Sequence, residues 1–477
     1  MKRISKYIIL AAFFGTLVSC DKQLSEPPAN ARVDGTAITD QKSAQTVLNG
    51  AYYRFANVDN NNVTNWTSHQ VAGGMYNGLL AYGLGQVPDE RNENASAGYA
   101  PAIWTQSYLL VTATNAVIDG VTALADDAFI GSRKNEIIGE SRFLRAYGHF
   151  KLLMYFSEWF KQDSKNGVLI RDKFITLSQV LKARSTVAES YAFILADLDF
   201  AIANAPATNP NYYATKWAAM ALKMRVLLCR GQQVDYMEVN NLGNTLIQSG
   251  PYALENNLKD IFYTKGLSSA EVIFGVKPQP SQELFSYIQS RAYYPGQSTM
   301  FAATQKFRDL LQNDPRGTWM VGALTPYQAY SPNTYYFLKY IAVGGNPSQL
   351  SETSYALRLS EVYLMRAEAI IRSNGADLNA AKSLIKTVMG KAGATNFSAV
   401  DDANTADALL LQNYYEVERN LTGEDGIEWL TLMRLPFATV KQLRPTIVSD
   451  IQFYFPVPRS EFDSNPLFGQ QNTGYGL

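Results

Sequence analysis

Apolar residues recur at the helical period through several long stretches of the chain. Over 185–205, Val187, Tyr191, Ile194, Leu195, Leu198 and Ile202 share one face. Thr186 and Glu189 have the spacing of a capping box at its start, and Pro206 stops it. Over 133–160 the stripe is Phe143, Tyr147, Phe150 and Met154. Over 355–373, Leu359, Val362, Tyr363, Ile370 and Ile371 form one face while Leu357 and Leu364 make a second apolar one. A helix apolar on two faces is packed between neighbours, as in a stacked array. Further helices are predicted near 41–57, 102–124, 213–230, 235–250, 377–391 and 405–421. Short turns such as Asn374-Gly375 join them into pairs, with Ala367, Ala369, Ala380 and Ala381 allowing close approach. Helix length and alanine placement resemble tetratricopeptide repeats, although the full repeat pattern is not met.

Two stretches break this pattern. Residues 58–101 are dominated by Gly, Asn and Pro, and residues 263–350 carry eight tyrosines between Tyr287 and Tyr340. Loops this long are functional or disordered, and the aromatic content argues against disorder. Glu271 to Lys277 reads as a strand, predicting a small sheet within the second stretch. The C-terminal segments SDIQFYFPVPRSEF and NPLFGQQNTGY read as extended chain wrapped over the surface.

The first residues set an address. Lys2, Arg3 and Lys6 precede an apolar run from Tyr7 to Val18, too short for the ~20 residues of a membrane-spanning helix but suited to a signal peptide. The run ends Leu17-Val18-Ser19-Cys20, a pattern resembling a bacterial lipobox whose cysteine is acylated. The chain then divides into a leader at 1–19, a lipidated tether at 20–38 and a single domain at 39–477. Removing the leader leaves Cys229 as the one other thiol, read as a small buried hydrophobe.

Composition narrows the chemistry. Forty-two basic residues balance forty-two acidic ones, with no basic stretch that suits nucleic acid. Two histidines and two cysteines supply neither an ordinary zinc site nor a disulfide framework. His69 falls in a predicted loop and His149 in a helix, neither in a triad context. No phosphate-binding loop, GxSxG or HExxH is present, and Asp89-Glu90 are adjacent residues that point apart. These features predict a protein that is not an enzyme and carries no cofactor or metal. Binding has more support, because sugar rings pair apolar C–H faces with flat aromatics flanked by amides and charges. The first loop offers Asn65, Trp66, His69, Asn77, Tyr82, Asp89 and Arg91; the second offers Tyr287, Arg291, Tyr293, Tyr294 and Trp319. Arg142, Arg145, Arg358 and Arg366, with Glu140, Glu361 and Glu368, lie in largely apolar helices and are read as scaffold charges paired with each other and with loop backbone.

Several strings carry a resemblance in a fixed order. They are Cys20-Asp21-Lys22, LNGAYYRF (Leu48 to Phe55), WTQSYLLVTATNAVID (Trp104 to Asp119), GESRFLRAYGHFKLL (Gly139 to Leu153) and STVAESYAFILADLDFAI (Ser185 to Ile202). Asp314-Pro315-Arg316, LRLSEVYLMRAEAI (Leu357 to Ile370), Asn465-Pro466 and QNTGY (Gln471 to Tyr475) follow. Together they resemble the SusD/RagB family of nutrient-binding outer-membrane lipoproteins. The resemblance implies a mainly α fold, a tetratricopeptide-like solenoid of helical pairs with long irregular aromatic-rich loops and a little strand. It implies a lipid anchor in the outer membrane, a SusC-like TonB-dependent transporter as partner, and a glycan ligand or, in the RagB branch, a peptide. The family's binding residues sit in variable loops, so the loop residues above rest on their chemistry alone.

Overall fold

The computed structural model describes residues 37–59, 64–82, 100–175, 179–278, 293, 301–322, 335–340 and 348–476. The leader, Cys20 and nearly all of the tether lie outside these residues. Among the described residues, the helices that organise the body are α1 Gln41–Ala56, α2 Thr67–Tyr76, α3 Ala100–Ala123, α4 Arg133–Phe156, α5 Val187–Asn204, α6 Lys216–Arg230, α7 Gln233–Ser249, α8 Gln305–Leu311, α9 Leu359–Arg372, α10 Leu378–Lys391 and α11 Ala406–Leu421. A short helix, α12 Ile427–Met433, follows.

Packing follows chain order through α3, α4, α5, α6 and α7, and then passes from α7 directly to α9 and α10. The array therefore continues across the whole 250–358 insertion, as a solenoid of helical pairs would. Its middle helix, α4, is buried on every face from Ile137 to Phe156 save Arg142. Local chemistry sets the ends. Thr186 Oγ1 accepts from the Glu189 amide at 3.1 Å while the Glu189 carboxylate accepts from the Thr186 amide at 2.8 Å, the reciprocal cap the sequence predicts. α1 holds a glycine that packing does not require: a Cβ at Gly50 would meet nothing within 4 Å. Gly50→Ala is therefore expected to raise stability by about 0.5–1 kcal/mol, seen as a higher urea midpoint at unchanged slope.

Two small sheets complete the fold. Strands β2 (Val272–Val276) and β6 (Ser354–Arg358) pair antiparallel, Val276 opposite Ser354 and Val272 opposite Arg358. The strand expected at 271–277 is present. Its partner corrects the helix expected from 355: Leu357 is in a strand, and α9 begins at Leu359. Ser354 to Arg358 are all buried, and a short strand covered on both faces has no alternation to separate it from a buried helix. The second sheet joins β1 (Leu80–Tyr82), β3 (Phe301–Ala303), β5 (Tyr336–Phe337) and β4 (Val321–Gly322) in that order, each pair antiparallel.

The 58–101 stretch also contains α2, which the sequence does not predict, and His69 is on this helix instead of in a loop. Ser68 to Tyr76 are all buried, so no polar face marks a period, and Gly73-Gly74 read as breakers. Those glycines have a packing reason. A Cβ at Gly73 would sit 2.4 Å from the Cα of Gly426, whose own φ is 74°. The C-terminal segments are less superficial than expected. Tyr454, Phe455 and Val457 are buried, Phe455 stacks on Tyr155 at 5.4 Å, and the Asn472 amide donates to the Phe156 and Phe455 carbonyls.

Candidate functional site

The aromatic half is built on a platform. α2 and the four-stranded sheet enclose a core of Val71, Met75, Phe262, Tyr293, Phe301, Phe307, Phe337, Tyr340 and Tyr355. Tyr293 donates to Gln70 Oε1 at 2.9 Å, and Gln70 donates to Ser354 Oγ at 3.2 Å, so the platform is tied to β6. Tyr355 donates to the Ile261 carbonyl at 3.0 Å and Tyr263 to that of Leu338 at 2.8 Å.

Strand register fixes where the chain leaves this platform. Tyr82 lies opposite Phe301, and β3 runs antiparallel to β5, so the end of β1, the start of β3 and the end of β5 share one sheet edge. Segments 83–99, 294–300 and 341–347 attach there. Segment 323–334 joins the end of β4 to the start of β5 at the opposite edge.

The residues expected from sequence divide into two groups. Asp89, Arg91, Tyr287, Arg291 and Tyr294 lie outside the described residues. Tyr82 ends β1 at the shared edge. Asn65, Trp66, Asn77 and Trp319 are buried, so neither Trp offers the open platform expected of it and neither Asn is an exposed flanking amide. Trp66 donates its indole N–H to the Phe55 carbonyl at 2.9 Å and packs against Phe55 and His69. Asn65 Oδ1 accepts from the Thr67 amide and hydroxyl at the start of α2. Asn77 accepts from Tyr414 at 2.8 Å and donates to Glu418. Trp319 stacks on Phe262 at 6.0 Å and meets Tyr263 edge-on. A Trp in an Asn- and Gly-rich stretch reads as exposed, and its capture by a backbone carbonyl leaves no mark in sequence.

The platform meets the solenoid through a dry ionic joint at the α11–α12 turn. Arg358 donates to both oxygens of Glu424 at 2.8 and 2.7 Å, to Asn420 Oδ1 at 2.7 Å and to Ser360, and pairs with Glu271. Lys339, just after β5, donates to Glu424 at 2.6 Å and to the Asn420 and Thr422 carbonyls. Burial pulls the Lys339 ammonium down to about 8, against the opposing pull of Glu424. One residue on, Asp425 accepts from Arg225 at 2.6 Å, from Tyr147 at 2.7 Å and from Lys151 at 2.7 Å. His69 faces the same region, and burial together with Lys151 lowers it to about 3, so it is neutral. His149 is buried with Nε2 accepting from the Arg171 amide at 3.2 Å. These charged groups are buried, and their arrangement is that of a scaffold. Among the described residues no group of three or more His, Cys, Asp or Glu could hold a metal, and no helix is long and apolar enough to cross a membrane.

Comparison with known proteins bears on this architecture. A family model described as SusD-like, starch-binding associating with outer membrane, matches residues 25–228, and a second, described as the SusD family, matches 285–431. The chain belongs to the SusD/RagB family. The first match covers α1 to α6, and the second runs from the aromatic insertion into α12. A SusD-like protein of Bacteroides ovatus is 22% identical over 308 residues, 57% of this chain and 55% of that protein, so the match spans about half of its length. The crystal structure of a SusD superfamily protein from Bacteroides thetaiotaomicron superposes with a TM-score of 0.73 at 22% identity, covering 91% of this chain and 100% of the other. Surface glycan-binding protein A from Bacteroides fluxus does so with a TM-score of 0.70 at 17% identity, covering 92% and 100%. At these identities the likeness is one of fold, and it is the mainly helical SusD fold expected from the sequence.

Proposed function

We propose that this SusD/RagB chain is a cell-surface lipoprotein, anchored through Cys20, that captures glycan and delivers it to a SusC-like TonB-dependent transporter without cleaving it. The observation that carries the binding half of this reading is the shared sheet edge. Three segments that bear Asp89, Arg91, Tyr294 and further polar and aromatic residues leave a rigid platform side by side. Such a framework gathers the points where these segments leave the sheet, which suits a site built from several segments. A fold relative named as a surface glycan-binding protein supports the ligand class, and the family description supports the outer membrane.

Affinity electrophoresis of the chain begun at Asp21, through native gels containing a panel of polysaccharides, tests this. Retardation by at least one glycan is expected. Tyr294→Ala should weaken that retention by roughly tenfold, by analogy with aromatic stacking on bases, at an unchanged melting temperature. No retardation, with heat released on titrating peptides, would replace the glycan by a peptide ligand. New reducing ends on incubation with the retained glycan would overturn the non-enzymatic role.

A further inference from the structure

A cleft of about 420 Å³ lies between α1, Tyr212-Tyr213 at the end of the 206–213 turn, and the end of β2. Its volume is that of a small-ligand site. The turn is rigid. Pro206 and Pro210 fix two backbone angles, the Asn211 carbonyl accepts from the Gly275 amide at 2.8 Å, and the Asn211 amide donates to the Leu267 carbonyl at 2.5 Å. Next in the chain, Tyr212 and Tyr213 stand with ring centroids 4.8 Å apart and stay half-buried. Tyr213 meets the buried Tyr52 edge-on at 4.7 Å. Tyr52 in turn is fixed by a 2.6 Å bond to Glu140 and by the Ala214 amide. Folding thus holds two aromatic rings at the surface without covering them.

The polar groups around the rings are left with capacity. Asn49 Oδ1 accepts from Tyr213 at 3.4 Å and from Gln45, while among the described residues its amide nitrogen donates to nothing. Lys277 is exposed, with its ammonium 4.6 Å from the Tyr212 ring centroid, and among the described residues no carboxylate pairs with it. Aromatic faces, an amide donor and an uncompensated cation in one cleft match a sugar ring that carries an acid.

We propose that Tyr212, Tyr213, Asn49 and Lys277 form a second saccharide subsite, which takes a pyranose bearing a carboxylate. It is independent of capture at the sheet edge, and different residues report on each.

The test uses the full chain in detergent, titrated with methyl glycosides of galacturonate, glucuronate and mannuronate and with their neutral hexose counterparts, and read by saturation-transfer NMR. At least one uronate should bind, more tightly at low salt. Lys277→Gln should weaken it about threefold to fivefold and remove the salt dependence, with neutral sugars unaffected. Tyr212→Ala should weaken it roughly tenfold. Both side chains are on the surface, so the fold should survive. Silence from all three uronates, or binding that both variants leave unchanged, would overturn the subsite. Equal binding of acidic and neutral sugars, untouched by Lys277→Gln, would overturn its acidic specificity. Tyr294→Ala should leave this signal intact, and its loss there would assign the uronate to the sheet edge instead.

Discussion

Arg358→Met is expected to destabilise the protein by about 3–5 kcal/mol, a large part of the ~5–15 kcal/mol that typically holds a domain folded. The guanidinium is fully buried and serves Glu424, Glu271, Asn420 and Ser360 together. Met keeps much of its volume but none of its donors. Among the described residues, Glu271 then retains only the hydrogen bond from the Glu255 amide, and Glu424 keeps only Lys339 as a counter-ion. The loss comes from these stranded carboxylates more than from the missing bonds. Arg358→Lys should recover part of it, because charge returns without the planar fork. Urea denaturation of the three proteins measures the series. A loss under about 1 kcal/mol for the Met variant would mean that water reaches the joint.

The second large effect is a pH dependence. Glu428 is buried at the start of α12, with Oε1 accepting a 3.3 Å bond from the Gly423 amide and, among the described residues, no hydrogen-bond partner for Oε2. Burial pushes its carboxyl up to about 8 from an ordinary 4.5, more than the Gly423 amide and Lys339 restore. Between those values the folded chain keeps a proton that the unfolded chain has released. Stability contributed by this group is therefore full below pH 4.5 and declines as pH rises through 8. At pH 7 the penalty is on the order of 3 kcal/mol. Glu428→Gln, neutral at every pH, should flatten that window. The difference in unfolding free energy between variant and parent should grow in the variant's favour from pH 5 to pH 8. A difference that stays constant would show that Glu428 is ionised in the fold. Glu368 behaves oppositely: Arg434 and Arg372 together outweigh burial and hold it at about 2, so its contribution is lost only in strong acid.

What the sequence revealed follows physical lines. α5 was legible because its stripe, capping box and stop all agree, and the other solenoid helices lie within a few residues of their predicted bounds. Charged residues inside apolar helices were legible as paired, but not their partners. Arg145 finds Asp197, Glu361 finds Arg225, and Glu368 finds Arg434, each from another helix or turn. Arg145 also reaches a loop carbonyl, that of Asp172, as expected. β6 and α2 were missed because both are buried on all sides, and periodicity reports only a boundary between core and water. Trp66 and Trp319 were misread because residue type and loop composition do not say which way a ring faces. The Tyr212–Tyr213 pair was not singled out because Tyr213 falls at the start of the helix predicted over 213–230, which begins only at Lys216.

The ionic joint at the α11–α12 turn also dictates an order of assembly. Lys151 and Arg225 belong to the first half of the chain, yet their carboxylate partners come from the second: Asp425 for both, with Glu361 also on Arg225. Until α9 and that turn arrive, α4 and α6 carry two cations without their carboxylates, so the early helices cannot close into a dry array by themselves. A chain still emerging across a membrane would keep this centre open and wet. The last part of the polypeptide then seals the first, and a truncation before Asn420 should yield no stable solenoid, because the molecule gains its dry interior in one late cooperative step.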